Sequence, residues 1–214
     1  LQLSCDSLAN IIGRDSFLTP EIDIFNMIKK WHAHHDVKEP KQILIDKIRL
    51  QLMENKELLT EVRASNLLNP NTILDAIYLK EHSKDMNLRH RGCLFPNENI
   101  ATSKYDAIVI RGEFKTALLD GDVVNYDFDR GFTYHQIDDP AQQHCIIVKL
   151  GNPSIFNQIK LLLWDKDFRS YSYYIEVSMN EQDWIRVVDY SDYMCRSWQT
   201  LYFKPVVAKF IKVV

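Results

Sequence analysis

The chain of 214 residues is 46% hydrophobic and 26% charged, which is typical of folded globular protein and long enough for two domains. It carries 26 Lys and Arg against 29 Asp and Glu, and this net charge of −3 argues against nucleic acid or an anionic membrane as a partner. No apolar run approaches the roughly 20 residues that span a bilayer. The four cysteines are widely spaced and form no C-x-x-C pair, which indicates free thiols and a cytoplasmic location.

The first half has the apolar spacing of helices. Ser4 and Gly13 are predicted to cap and stop the first helix, and Thr19 to cap the second, with Pro20 in its first turn. Three further helices are predicted from apolar residues at helical spacing: Ile43, Leu44, Ile45 and Ile48; Leu58, Leu59 and Val62; and, behind an Asn69–Pro70 start, Ile73, Leu74, Ile77 and Tyr78. Because the connections are short, neighbouring helices should pack antiparallel as a bundle.

This periodicity breaks down at residues 90–99, where Gly, Pro and Asn interrupt it, so two domains are predicted, at residues 1–89 and 97–214. After the break, strand patterns cover residues 107–110, 145–150, 159–164, 172–179, 184–190, 198–203 and 210–214. Gly151, Asn152 and Pro153 are predicted to end the second of these strands. Short strands with no helices between them predict an antiparallel β-sandwich.

The most specific pattern of the second half is residues 159–184, IKLLLWDKDFRSYSYYIEVSMNEQDW. A strand, Arg-x-Tyr-x-Tyr, Ile-Glu-Val-Ser, a polar turn and Trp184 follow in an order that resembles the discoidin-like domain, also named the coagulation-factor type C or galactose-binding-like domain. The loop from Ala117 to Asp122, with Tyr126, is similar to a loop of that family. The resemblance implies an antiparallel β-sandwich over residues 97–214, whose final strand is expected to lie beyond Val214.

Two stretches of the first half resemble the BACK domain, a helical segment that follows the BTB/POZ domain in many ubiquitin-ligase adaptors. They are LSCDSLANIIGRDSFLTPEIDIFNMIKKW and IRLQLMENKELLTEVRASNLL, and the resemblance covers about residues 3–82. The implied fold is a helical bundle, incomplete at its N-terminal side, followed by the discoidin-like sandwich.

The two resemblances together imply a non-catalytic adaptor of a cullin-3 RING ubiquitin ligase. In such proteins the BTB/POZ domain dimerises and recruits cullin-3, so we expect both contacts only through that domain, which these 214 residues do not include. The BACK domain would act as a spacer, and the discoidin-like domain would recognise a substrate protein. The alternative is a module that binds a glycan or a phospholipid head group, as many discoidin-like domains do.

Nothing in the sequence predicts a catalytic residue or a cofactor, because G-x-S-x-G, H-E-x-x-H and a phosphate-binding glycine loop do not occur. His32 and His35 have no further ligand at a fixed offset, so a metal is not predicted there. An acidic loop offers carboxylates that suit calcium, but its spacing is not that of an EF-hand, and a solvated loop is favoured over a bound ion. The acidic residues of this loop are Asp120, Asp122, Asp127 and Asp129.

Binding residues of a β-sandwich concentrate in the loops at one end, which vary while the sheets hold them. The predicted partner-binding residues come from two such loops: Tyr126, Asp127, Phe128 and Asp129 from the first, and Lys166 and Phe168 from the second. Phe128 and Phe168 are the sharpest members, because a large apolar side chain between charged neighbours is costly to expose without a partner. In the alternative, both phenylalanines fold back over the core, and Arg169 pairs with Asp165 or Asp167.

Overall fold

The computed structural model of the chain describes residues 3–35, 42–136 and 144–214. The chain divides into two units between Gly92 and Cys93, within the predicted break at residues 90–99. In the described residues the first unit is helical, whereas the second consists of β-strands, loops and one short 3-10 turn.

The described residues of the first unit contain these α-helices: α1 (Cys5–Ile12), α2 (Glu21–His34), α3 (Gln42–Ile45), α4 (Asn55–Glu57) and α5 (Pro70–His82). Helix α4 continues directly into a π-helical segment, Leu58–Val62, and 3-10 turns cover Leu50–Leu52 and Asp85–Asn87. No helix within these described ranges is long and apolar enough to cross a lipid bilayer.

The predicted helix starts are confirmed at two of three places. The Ser4 hydroxyl accepts a hydrogen bond from the backbone N–H of Ser7, and Gly13 follows the last residue of α1. Asn69 caps α5 in the same way, with Pro70 as the first helical residue. The prediction for Thr19 is wrong, because Pro20 occupies the cap position of α2 in an extended conformation and no side chain caps the helix.

Apolar side chains of α1, α2, α3 and α5, together with the π-helical segment, form most of the core of the first unit. The largest fully buried side chains are those of Ile12, Ile24, Phe25, Leu44, Met53, Leu58, Val62 and Ile73. The structure corrects the predicted apolar faces at four exposed residues: Ile43, Leu59, Leu74 and Tyr78. For α5 the reason is geometric: Ile73, Ala76 and Ile77 share the inner face, and the exposed residues lie about 100° further round the helix.

A buried ion pair joins the start of α2 to the end of the first unit. Glu21 and Arg91 are both buried, and the Arg91 Nε donates to the Glu21 carboxylate at 2.5 Å. The Arg91 guanidinium also donates to the carbonyls of Ile12, Arg14 and Lys47. With these acceptors the buried charges are paired and hydrogen-bonded, which is the condition under which buried charge is tolerated.

Arg49 extends this network. Its backbone N–H donates to Glu21 at 3.0 Å, and its guanidinium donates to Asp15 at 2.5 Å and to the carbonyls of Arg89 and His90. Burial, and then repulsion from Arg91, lowers the pKa of the Arg49 guanidinium. The segment that leads out of the helical unit is therefore held by side chains that lie far away in sequence.

An antiparallel sheet forms the second unit, with strands β1 (Ile108–Arg111), β2 (Ile146–Leu163), β3 (Tyr171–Ser178), β4 (Ile185–Cys195) and β5 (Ser197–Val213). The strand order in the described residues is β1-β2-β5-β3-β4, and every neighbouring pair is antiparallel. The prediction of short strands is wrong for β2 and β5, which span 18 and 17 residues.

Residues 151–153, predicted to end a strand, are absorbed within β2. The register between β2 and β5 shifts between Lys149 and Ser154, which lets β2 continue past the irregular stretch. A glycine is required in this stretch, because a Cβ on Gly151 would lie 2.3 Å from the carbonyl oxygen of Tyr105.

The two long strands give the sandwich its layers. Residues 154–163 and 197–208 form a two-stranded ribbon, named here the β2–β5 ribbon, that pairs with no other strand named above. Its inner face, which includes Leu161, packs in one cluster with Ile175 of β3 and Val188 of β4. The ribbon therefore lies over β3 and β4, and the second unit is the antiparallel β-sandwich that the sequence predicts.

Replacing Arg91 with Ala should lower the free energy of unfolding of the helical unit by about 3–5 kcal/mol, because Glu21 would keep a buried charge without its partner. Urea titration followed by helical circular dichroism measures the loss.

The control is Arg89→Ala. The Arg89 side chain is 66% exposed and pairs with Asp15, so its removal should lower the free energy of unfolding by less than about 1 kcal/mol. The combined Glu21→Leu and Arg91→Met variant, with no buried charge left, should regain most of the stability. Equal urea midpoints for Arg91→Ala and Arg89→Ala would contradict this account.

Candidate functional site

Three segments of the second unit meet at one end of the sandwich, around Trp164. The Trp164 ring centroid lies 5.9 Å from that of Tyr126, 5.1 Å from that of Phe128 and 5.6 Å from that of Phe132. These aromatic contacts hold the long loop after β1 against the β2–β3 loop. Residues 126–132, 164–169 and 196–197 are named here the rim.

Asp165 links all three segments of the rim by hydrogen bonds. Its Oδ1 accepts from the Tyr126 hydroxyl at 2.6 Å, its Oδ2 accepts from the Ser197 hydroxyl at 2.7 Å, and its carbonyl accepts from Arg196 at 2.6 Å. The Tyr126 hydroxyl, followed by that of Ser197, lowers the pKa of the Asp165 carboxyl. In return, the hydrogen bond to Asp165 raises the pKa of the Tyr126 phenol. Asp165 is thus an anion that positions loops.

Of the predicted binding residues, Tyr126 and Lys166 are brought together: the Lys166 Nζ lies 4.1 Å from the centroid of the Tyr126 ring, a cation–π contact. Asp127 instead organises its own loop, because its carboxylate accepts from the backbone N–H groups of Asp129 and Arg130. These bonds, that of Asp129 first, lower the pKa of Asp127. Asp129 lies exposed in the same loop.

Phe128 and Phe168 do not fold back over the sandwich core. Phe168 is 100% exposed, and Phe128 is 65% exposed although one side of its ring lies against Trp164. The alternative in which these residues cap the core is therefore wrong. They are large apolar side chains that the rim presents to solvent.

Arg169 pairs with Asp167, one of its two predicted partners. The Arg169 Nε and Nη2 lie 2.7 Å and 2.6 Å from the Asp167 carboxylate, which lowers the pKa of Asp167 to about 2. The Arg169 guanidinium also lies 5.5 Å from the Trp164 ring. Tyr173 of β3 is buried, and burial raises the pKa of its phenol.

The third segment of the rim is not predicted from the sequence. Arg196 and Ser197 contact Asp165 from the β4–β5 turn, and no local turn motif predicts that turn. Just before it, Tyr193 and Met194 lie exposed where β4 bulges out of register with β3. The alternating pattern of β5 was the available signal, because it places a turn directly before Trp198.

The acidic loop uses its carboxylates on its own backbone. Asp122 accepts from the backbone N–H groups of Val124 and Asn125 and from the Asn125 side chain, and these bonds lower its pKa. Asp120 in turn accepts from the backbone N–H of Asp122. Within the described residues, no three His, Cys, Asp or Glu side chains are grouped so as to hold a metal ion.

A sandwich of this topology, with a motif-bearing β3 and an aromatic rim, defines a discoidin-like module. The chain belongs to the F5/8 type C domain family, which matches residues 101–214. The BACK (BTB And C-terminal Kelch) family matches residues 1–63. Both resemblances read from the sequence are confirmed.

The curated relatives are BTB/POZ domain-containing proteins. The chain is 55% identical over 214 residues to BTB/POZ domain-containing protein 9 of Rattus norvegicus and 54% identical over 214 residues to that of Homo sapiens. It is 45% identical over 212 residues to the Drosophila melanogaster protein of that name. All or nearly all of the chain is covered, at 100%, 100% and 99%, but it spans only 35%, 35% and 29% of those proteins.

Two solved structures are similar to part of the chain. The chain is 15% identical to CpGH89CBM32-6 of Clostridium perfringens, with a TM-score of 0.39 over 54% of this chain and 86% of that one. It is 23% identical to chitosan-binding module 1 of a chitosanase/glucanase from Paenibacillus sp. IK-5, with a TM-score of 0.39 over 54% and 85%. Overlaps of this extent say nothing about ligands.

Replacing Tyr126 with Phe should raise the pKa of Asp165 towards its ordinary value, because the hydroxyl that chiefly stabilises the carboxylate is removed. A lowered folded-state pKa means that Asp165 contributes stability above the ordinary carboxyl pKa, and that this contribution is lost as the pH falls through the folded value. Titration of the Asp165 carboxyl carbon by NMR measures the shift.

The matched control is Phe128→Leu, which changes a neighbouring ring and keeps the Tyr126 hydroxyl, so the midpoint of Asp165 should stay as in the native chain. If the titration midpoint of Asp165 is the same in Tyr126→Phe and in the native chain, the hydrogen bond from Tyr126 to Asp165 does not hold the rim.

Proposed function

We propose that the chain is part of a non-catalytic substrate adaptor of a cullin-3 RING ubiquitin ligase, and that its discoidin-like domain binds the substrate protein. The rim is the recognition surface. The observation that carries this proposal is that Phe168 is 100% exposed and Phe128 65% exposed on loops that are otherwise fixed by internal bonds.

The adaptor role is supported by domain order and by the relatives. A BACK segment followed by a discoidin-like domain occurs in this chain, and its relatives carry BTB/POZ in their names. The chain corresponds to about a third of their length, since it spans 35% of the rat protein. Cullin-3 binding and dimerisation belong to a BTB/POZ domain in this proposal, and the helical unit acts as a spacer.

The electrostatics of the rim support binding rather than catalysis. A general acid or base at neutral pH needs a pKa near the working pH, which for a carboxyl means a raised value. The pKa values of Asp127, Asp165 and Asp167 are all lowered, by hydrogen bonds that each carboxylate accepts. These groups remain anions and hold loops in place, so they are poorly suited to proton transfer.

The geometry of the rim suits a protein partner. Aromatic and arginine side chains dominate the binding energy of protein interfaces, and here Phe128, Phe168 and Trp164 lie beside Arg169 and Arg196. Loops that are already ordered lose little conformational freedom on binding. A cytoplasmic partner fits the free thiols of the chain, none of which is joined in a disulfide.

A glycan- or phospholipid-binding module is the second candidate, favoured by the fully exposed ring of Phe168, which could stack on a sugar or enter a bilayer interface. A glycan array and sedimentation with phosphatidylserine liposomes test it directly. Binding to either that Phe168→Ala abolishes would favour this candidate over the adaptor.

Phe168→Ala should weaken capture of the substrate protein by about 2 kcal/mol, with little change in stability, because a fully exposed ring contributes to binding and not to the core. Phe128→Ala should act in the same direction. The measurement is proximity labelling in cells under proteasome inhibition, with the longer protein that carries this chain, beside thermal melts of the 214-residue chain.

The matched control is Tyr78→Ala, which removes a similarly exposed aromatic ring from the helical unit and should leave labelling unchanged. Substrate labelling that is equal in Phe168→Ala and in the native protein would rule out the rim as the recognition surface. A large fall in melting temperature would instead return Phe168 to a structural role.

A further inference from the structure

The outer face of the β2–β5 ribbon carries two exposed aromatic side chains. Trp198 is 52% exposed and Tyr202 is 72% exposed, and along β5 both alternate with the inward-facing Leu201, which is buried. Across the ribbon, Trp198 pairs with Leu162 and Tyr202 with Gln158. Residues four apart on a strand are separated by about 13 Å, so the two rings mark the ends of one outward surface.

On the other outward face of the sandwich, by contrast, cations lie over the aromatic rings. The Arg186 guanidinium lies 3.7 Å from the centroid of the Tyr174 ring, and the Lys212 ammonium lies 4.2 Å from that of Trp184. Each cation is itself paired, Lys212 with Glu176 at 2.5 Å and Arg186 with an aspartate of β4 at 2.6 Å. On that face the protein covers its aromatic rings with its own neutralised charges.

The outer face of the β2–β5 ribbon also carries cations, but in the described part of the chain these are not paired with carboxylates. Lys160 lies between the two aromatic positions, opposite Thr200, and Lys204 is exposed two residues beyond Tyr202. Among the described residues, neither lysine belongs to a salt bridge. The paired positions from Gln158 to Leu162 and from Trp198 to Tyr202 contain no Asp or Glu. The face is therefore aromatic and positively charged.

We propose that the outer face of the β2–β5 ribbon is a second docking surface, separate from the rim, which binds an acidic segment of a partner protein. Carboxylates of the segment pair with Lys160 and Lys204, and an apolar side chain lies between the rings of Trp198 and Tyr202. Exposed Trp and Tyr beside a cation are the residue types that dominate binding at protein interfaces. About five residues of an extended segment cover the distance between the two rings.

Charge favours a peptide over single-stranded nucleic acid, which also stacks on aromatic side chains. Nucleic acid needs a basic field along its phosphates. Residues 97–214 hold 13 Lys and Arg against 16 Asp and Glu, so the field around the ribbon is not basic beyond the face itself. A short acidic segment needs only the two lysines of the face.

The test uses the 214-residue chain and a phage-displayed library of random dodecapeptides. Selected peptides are synthesised, and their affinities are measured by fluorescence anisotropy. We expect selection of sequences in which Asp or Glu flank an apolar residue. Affinity should fall at least tenfold in Lys160→Glu and in the Trp198→Ala, Tyr202→Ala double variant, and should weaken as salt is raised.

Two controls separate this surface from other sites. Lys30→Glu reverses an exposed charge in the helical unit, and Phe168→Ala removes the exposed ring of the rim, and both should leave affinity within twofold of the native value. Because Phe168→Ala reports on the rim alone, failure of the proposed substrate site and failure of the ribbon surface give different results. Lys160→Glu adds no cavity, so it decides the matter even if the double variant unfolds.

The proposal is overturned if the library yields no binder above background, or if the selected peptides are basic. Binding that is lost in Phe168→Ala but kept in Lys160→Glu also overturns it, as does tighter binding of a uridine dodecanucleotide than of any selected peptide.

Discussion

The continuous pairing of β2 with β5 decides where the exposed features of the second unit lie. Two register shifts let the long strands bend, so that one end of the pair belongs to a sheet with β1 and β3 while the ribbon folds over β3 and β4. Since the ribbon ends at Leu163 and Ser197, the β2–β3 loop and the β4–β5 turn arrive together and form the rim. The same pairing turns Trp198 and Tyr202 outward.

Asp165 converts that arrangement into an ordered surface. One carboxylate accepts hydrogen bonds from Tyr126 and from Ser197, and so joins a loop before β2 to the turn before β5. The carboxylates of the rim stay ionised and accept the hydrogen bonds that order its loops. What remains free are apolar rings such as Phe168, and the proposed partner binding rests on these exposed rings on an ordered frame.

The helical unit contains a buried pair of opposite charges. Glu21 and Arg91 are 70 residues apart in sequence, and both are buried. A buried pair of this kind contributes little net stability compared with apolar residues, but loss of one partner is costly. Its effect here is to define one arrangement, in which the end of the unit is held at the start of α2.

The sequence by itself determined what depends on near neighbours: the Ser4 cap, the strand β3, and the order of motifs that marks both domain families. It also placed Phe128 and Phe168 in loops. Only the tertiary structure decided that residues 151–153 stay within a strand, and that Ser197 reaches Asp165. Those outcomes depend on strand pairing and hydrogen bonds between residues far apart in the chain, and the energy of such contacts leaves no periodic signal in the residues that make them.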